Sequence, residues 1–231
     1  MASLADRLKS FTGIQDLDGI ESLATTWFDS AAKDVINVLP PQVLYITGES
    51  EILLSFEHGG PSNTSTSVPQ SRILNVTRKK STNDVAHECR EIDAVKKGYA
   101  SFNDYMYSAT NESPVFYREN NKIFILPLLN VSNNSINGAA EIVYVKYPSV
   151  NITEDFISKF PDEIENLVVL KASVYGKFYQ IGLANAEEDL EVAASHTNHM
   201  SALNQEYTMC LQNYLSGYQL NAKEQGVVND S

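Results

Sequence analysis

The chain has 231 residues, 43% of them hydrophobic and 20% charged, with a formal net charge of −12. That apolar content can bury a sizeable core, in one large domain or in a helical domain carrying a smaller inserted one, and it excludes a disordered chain. The acidic balance opposes adhesion to phosphate backbones and argues against direct nucleic-acid gripping.

The segment from Met1 to Arg7 lacks the basic start, apolar run and cleavage site of a secretory signal. No uninterrupted apolar run approaches the roughly 20 residues that span a bilayer, so a soluble protein made in the cytoplasm, without membrane contact, is expected. Cys89 and Cys210 lie far apart without metal-ligand spacing, which reads as two packed thiols in a reducing compartment. Asn-x-Ser/Thr triplets, such as those at Asn63 and Asn151, are then polar loop composition.

Leu4, Leu8 and Phe11 are spaced for a couple of helical turns, interrupted at Gly13. Asp18 with Glu21 fits a capping-box start, and Ile20, Leu23, Ala24, Trp27, Phe28, Ala31, Val35, Val38 and Leu39 recur at helical spacing until Pro40-Pro41 stops the helix. The only tryptophan, Trp27, is a core position on this stripe.

From Gln42 to about Val150 the period shortens. Val43 to Ile46 and Ile52 to Phe56 read as short strands around Gly48 and Gly59-Gly60-Pro61, followed by a polar loop from Ser62 to Gln70. Arg72 to Arg78 and Ala86 to Ile92 read as further strands, the second alternating His87, Cys89 and Glu91 against Glu88, Arg90 and Ile92. The clearest hairpin joins Val115–Arg118 to Lys122–Leu126 across Asn120-Asn121, because asparagine tolerates the positive φ of a type I′ turn. Glu141 to Tyr147 makes a last strand before Pro148. Three to seven antiparallel strands are implied.

Phe160-Pro161-Asp162-Glu163 opens a helix with a proline and acids where a first turn favours them. Ile164, Leu167, Val168, Leu170, Val174, Tyr175, Phe178 and Ile181 fill more than one stripe, so this helix is predicted to be the central one. Gly182 loosens it. Asn185 with Glu188 then caps a helix whose face is Leu190, Ala193, Ala194, Leu203, Tyr207, Cys210, Leu211, Tyr214 and Tyr218. The tail after Leu220 is polar, and flexible unless a partner orders it. Most of the acid excess falls in this C-terminal part.

No catalytic constellation emerges. His196 and His199 stand three apart without a third ligand at sensible spacing, so no metal site is predicted. There is no G-x-S-x-G elbow, no G-x-G-x-x-G and no P-loop, and no cofactor is implied. The acids Asp162-Glu163 and Glu187-Glu188-Asp189 sit at helix starts, where dipole complementarity accounts for them. The tyrosines suit wet protein contacts, and Tyr207, Tyr214 and Tyr218 are the candidate subunit interface.

The layout is therefore α+β: a helical bundle from residues 1–41 and 151–220, an inserted antiparallel β-rich domain over 42–150, and a flexible tail over 221–231. Two stretches, Trp27 to Pro40 before a strand-rich region and Tyr147-Pro148-Ser149-Val150 leading into Phe160 to Ser173, resemble virion structural proteins of tailed bacteriophages, most of all head-to-tail connector (adaptor, neck) proteins. Cys89-Arg90-Glu91-Ile92-Asp93 and the Tyr117-Arg118-Glu119-Asn120 hairpin resemble the strand region of such proteins. The resemblance implies a non-enzymatic homo-oligomeric ring, assembled in the host cytoplasm and located at the virion neck. It would contact portal protein and tail or neck proteins, and DNA would pass through the channel without specific binding. The alternatives are a tail-completion or head-decoration protein, and a virion-associated hydrolase with a site assembled from distant residues.

Overall fold

The computed structural model describes residues 2–41, 43–44, 51–53, 65–67, 71–79, 85–101, 108–120, 122–127, 139–157, 160 and 162–227. The protein is mixed α+β, with helices and two small sheets among these residues. It divides into two units: Met1–Gly48 with Tyr147–Ser231, and Glu49–Lys146.

The first unit is helical. Helix α1 (Leu4–Thr12) is capped by Ser3, whose hydroxyl accepts from Asp6 N–H, and ends on Gly13 at φ 72, a conformation that suits glycine. Its first N–H groups, which no helix can satisfy internally, donate to the Glu154 and Ile152 carbonyls at 2.8 and 2.9 Å. Helix α2 (Glu21–Val38) buries Ala24, Trp27, Phe28, Ala31, Ala32, Val35 and Ile36. The capping box expected from Asp18 and Glu21 does not form. Ile20 occupies the N-cap, and the Glu21 carboxylate turns back to accept from Gly19 N–H at 3.0 Å. Val38, placed on the buried stripe by its spacing, is exposed.

After Pro40 the chain does not enter a strand. Val43 and Leu44 N–H donate to the Pro40 carbonyl, and both residues are helical and buried. The proline pair ends α2 but tolerates a new turn behind it, because proline fits a first helical turn. Tyr45 and Ile46 lie outside the described residues, as do 54–64 and most of the polar loop that follows.

Helices α4 (Asp162–Ala186) and α5 (Leu190–Val227) form an antiparallel hairpin, and α4 packs against α1, α2 and α5. Its apolar residues on several sides, Ile164, Leu167, Val168, Val169 and Leu170, are all buried. Phe178, read as part of that core, is 68% exposed, and Leu190 on α5 is 75% exposed. Gly182 does not interrupt α4, since a single glycine costs a helix only about 1 kcal/mol, which packing on either side offsets. Neither Asn185 nor Glu188 caps α5. Glu188 takes φ 60 in the turn, and Asp189 is the cap, its Oδ1 accepting from Val192 N–H at 3.0 Å. Helix α5 continues to Val227, so residues 221–227 of the stretch read as a flexible tail are helical.

The segment from Tyr147 to Ile157 is tied to the helices by side chains. Tyr147 donates to Asn37 Oδ1 at 2.8 Å, Val150 N–H to Asp29 Oδ1 at 2.7 Å, and Ile157 N–H to Glu165 Oε2 at 2.9 Å. Glu165, itself buried, also pairs with Arg7 of α1.

The second unit holds two four-stranded sheets. One has the order β1 (Glu51–Leu53), β8 (Ala139–Lys146), β3 (Ser71–Lys79), β4 (His87–Glu88). The other has β2 (Ser65–Ser67), β7 (Lys122–Leu126), β6 (Val115–Glu119), β5 (Arg90–Glu91). They face each other across Val76, Cys89, Phe116, Ile123, Ile125, Ala140, Ile142 and Tyr144. The far side of β6 and β7 is covered as well, by Ala100 of the short helix α3 (Lys97–Ala100) and by Ala109. This double covering explains why β6 and β7 read as nearly continuous apolar runs.

The hairpin forms as expected: Glu119 pairs with Lys122, and Asn120 has φ 50. The segment read as one strand over Ala86–Ile92 is instead two. Glu88 pairs with Thr77 of β3, Arg90 pairs in parallel with Val115 of β6, and Cys89 between them donates its N–H to the Val76 carbonyl at 2.7 Å. The chain thus crosses from one sheet to the other at Cys89. The β5–β6 pairing also makes the second sheet mixed, not purely antiparallel.

Candidate functional site

The residues singled out by sequence fall at different depths on the α4–α5 hairpin. Tyr207 is buried within its own chain, 8% exposed, which leaves little ring to offer a second subunit. Lys171 of α4 lies 5.3 Å from the centroid of its ring and 5.7 Å from that of Tyr175, a geometry in which a cation meets two aromatic faces. Tyr175 in turn donates to Asp34 Oδ2 of α2. Burial, and then the bond to Asp34, hold the Tyr175 phenol well above its usual range, and burial raises Tyr207. Asp34, Lys171, Tyr175 and Tyr207 therefore staple three helices together. Tyr214 is half-buried on α5, and the side chain of Tyr218 lies outside the described residues.

His196 and His199 are brought to Lys177, a residue that sequence reasoning missed. Lys177 is 3% exposed, and its Nζ lies 3.4 Å from His196 Nδ1. Burial lowers the Lys177 ammonium pKa; burial first and Lys177 second lower both imidazoles. A signal was present: Lys177 stands three residues after Val174 and four before Ile181, where the helical period calls for an apolar side chain. Among the described residues no group of three His, Cys, Asp or Glu side chains is placed to hold a metal ion.

The acids behave as helix-end groups where they are described: Asp189 caps α5. Around the hairpin, Leu190, Phe178 and Met209 are 75%, 68% and 62% exposed. They are spread along the hairpin, Leu190 and Met209 standing roughly 28 Å apart on α5 at 1.5 Å rise per residue.

The second unit contributes a cleft of about 450 Å³ where its two sheets part, lined among others by Asn75, Cys89, Arg90, Phe116 and Arg118. Cys89 is a free thiol pushed up to about 12 by burial, so it is a packed group and a poor nucleophile. Behind it Arg78 is 2% exposed, with Nη1 bonded to Asn111 Oδ1 at 3.0 Å and Nη2 without a partner among the described residues. Among the described residues lining this cleft no nucleophile is paired with a base. Among the described residues no helix is long and apolar enough to cross a membrane.

The chain matches no protein-family model and no curated protein.

Proposed function

We propose that the protein is a structural component of a tailed-phage virion, an adaptor or neck ring that joins portal to tail and lines part of the DNA conduit. In this reading the N- and C-terminal helices form the bundle, with the β domain inserted between them, and copies associate around the channel axis. The observation that supports it most is the set of large apolar side chains exposed along the α4–α5 hairpin, Phe178, Leu190 and Met209, on a chain whose net charge of −12 is unattractive to DNA phosphates. A closed ring buries one face of every copy against a different face of its neighbour.

The test is to tag the chain with a small label and locate it by electron microscopy in intact particles. Label concentrated at the portal vertex, together with loss of label in a Phe178→Glu/Leu190→Glu double variant that still folds, is the expected result. Label over the whole capsid surface, or particles that lack the chain altogether, overturns the neck assignment.

A further inference from the structure

We infer that Lys177 and His196 form a proton-operated latch between α4 and α5, closed while the imidazole is neutral and loosened when it takes up a proton. The geometry carries the argument. Lys177 projects from α4 into the packed side of the hairpin and is 3% exposed, and among the described residues no carboxylate pairs with it. Its contact is His196 Nδ1 at 3.4 Å, across the interhelical seam.

An ammonium has hydrogens to give and no lone pair, so Nδ1 serves it only as an acceptor, which requires the neutral imidazole protonated at Nε2. Adding a proton to Nδ1 sets an N–H against an N–H and a cation against a cation. Lys177 is buried but His196 is half-buried, so water screens the repulsion only from the imidazole's side.

The charges that set the field at His196 are Lys177 from α4 and His199 from its own helix, both of which oppose protonation. The carboxylates of α2 are committed elsewhere, Glu21 accepting from Gly19 N–H, Asp29 from Val150 N–H and Asp34 from Tyr175; in the α4–α5 turn Asp189 accepts from Val192 N–H, and Glu187 and Glu188 are exposed. From α1 and α2, Thr12 and Trp27, neither of them charged, lie beside Gly176, the residue before Lys177.

The His196 imidazole is depressed in the folded state, so its neutral form adds stability that is fully present above the ordinary histidine value, about 6.5. That stability is lost as the pH falls from there through the folded value.

The test is hydrogen exchange on the full chain at pH 7.5 and 5.5, corrected for intrinsic rates, with the imidazoles titrated by NMR. In the wild type, amides of α4 and α5 around residues 174–200 should exchange several-fold faster at the lower pH, and His196 should titrate below an unstructured histidine. His196→Gln/His199→Gln should lose most of that acid response, and Lys177→Met should return His196 toward its ordinary value. An equal acid response in the double histidine variant overturns the latch. So does a wild-type His196 that titrates at or above the unstructured value, a result that needs no variant to fold.

Discussion

Arg78 is a charged group placed where the strand period calls for an apolar one: it follows Val76 on the inward face of β3 and is 2% exposed. Burial pulls its pKa down, and one of its nitrogens has no partner among the described residues. Burying an unpaired cation is costly, and apolar isosteres at such sites are commonly neutral or stabilising by about 1–4 kcal/mol. Arg78→Met should therefore match or exceed the wild type in urea denaturation, whereas Asn111→Ala, which strands Nη1 as well, should lose roughly 1–3 kcal/mol. Cys89 gives a second expectation. Its thiol, 5% exposed and titrating near 12, should resist iodoacetamide at pH 8 in the folded protein while the half-buried Cys210 is alkylated, and mass spectrometry of tryptic peptides reads the order directly. The positions of Arg78 and Lys177 were legible, since each interrupts a hydrophobic period. Their surroundings were not, because Asn111 and His196 are brought to them only by tertiary packing.

Helices α1, α2, α4 and α5 were legible because each buries residues that recur with the helical period, as Trp27, Phe28, Ala31 and Val35 do on α2, whereas the single turn of α3 is too short to show a period. Their caps were not: Asp18 and Asn185 have the right chemistry, but Ile20 and Asp189 hold the N-cap positions. Asp189→Ala should cost about 1 kcal/mol in thermal unfolding, the usual worth of an N-cap. The two-residue strands β4 and β5 escaped notice because alternation over Ala86–Ile92 is the same whether its residues pair with one sheet or with two. Gly176 is a close approach between helices: a Cβ there would meet Thr12 Cγ2 at 2.9 Å and Trp27 Cζ3 at 3.4 Å. Gly176→Ala sets a gain in helix propensity of about 1 kcal/mol against an overpacking cost of roughly 1–3 kcal/mol. A net loss is expected. In a Thr12→Ser background, which removes Cγ2, the same change should become neutral or stabilising, and a thermal-melt double-mutant cycle checks the reversal.

At the scale of the whole chain, the α+β class followed from where the period changes, near Pro40 and again near Pro148. The partition into two sheets did not, because it depends on which edge each short strand meets. The predicted assembly has a solution signature: if the exposed apolar residues of the hairpin are a contact surface, Leu190→Glu should reduce self-association in sedimentation velocity at high protein concentration while leaving the melting temperature within a degree or two, since substitutions at exposed positions stay within about 0.5 kcal/mol.

Inside the second unit, the first strand lies beside the last, with Glu51 opposite Tyr144, so the chain comes in and goes out through adjacent positions. Such a module is a cassette. Cut at its neck and closed by a short glycine-serine bridge, it should leave behind a helical remainder whose own ties, Arg7 to Glu165 and Tyr175 to Asp34, are all retained. Evolution could have acquired, exchanged or discarded it in a single recombination without rewriting the helices that carry it.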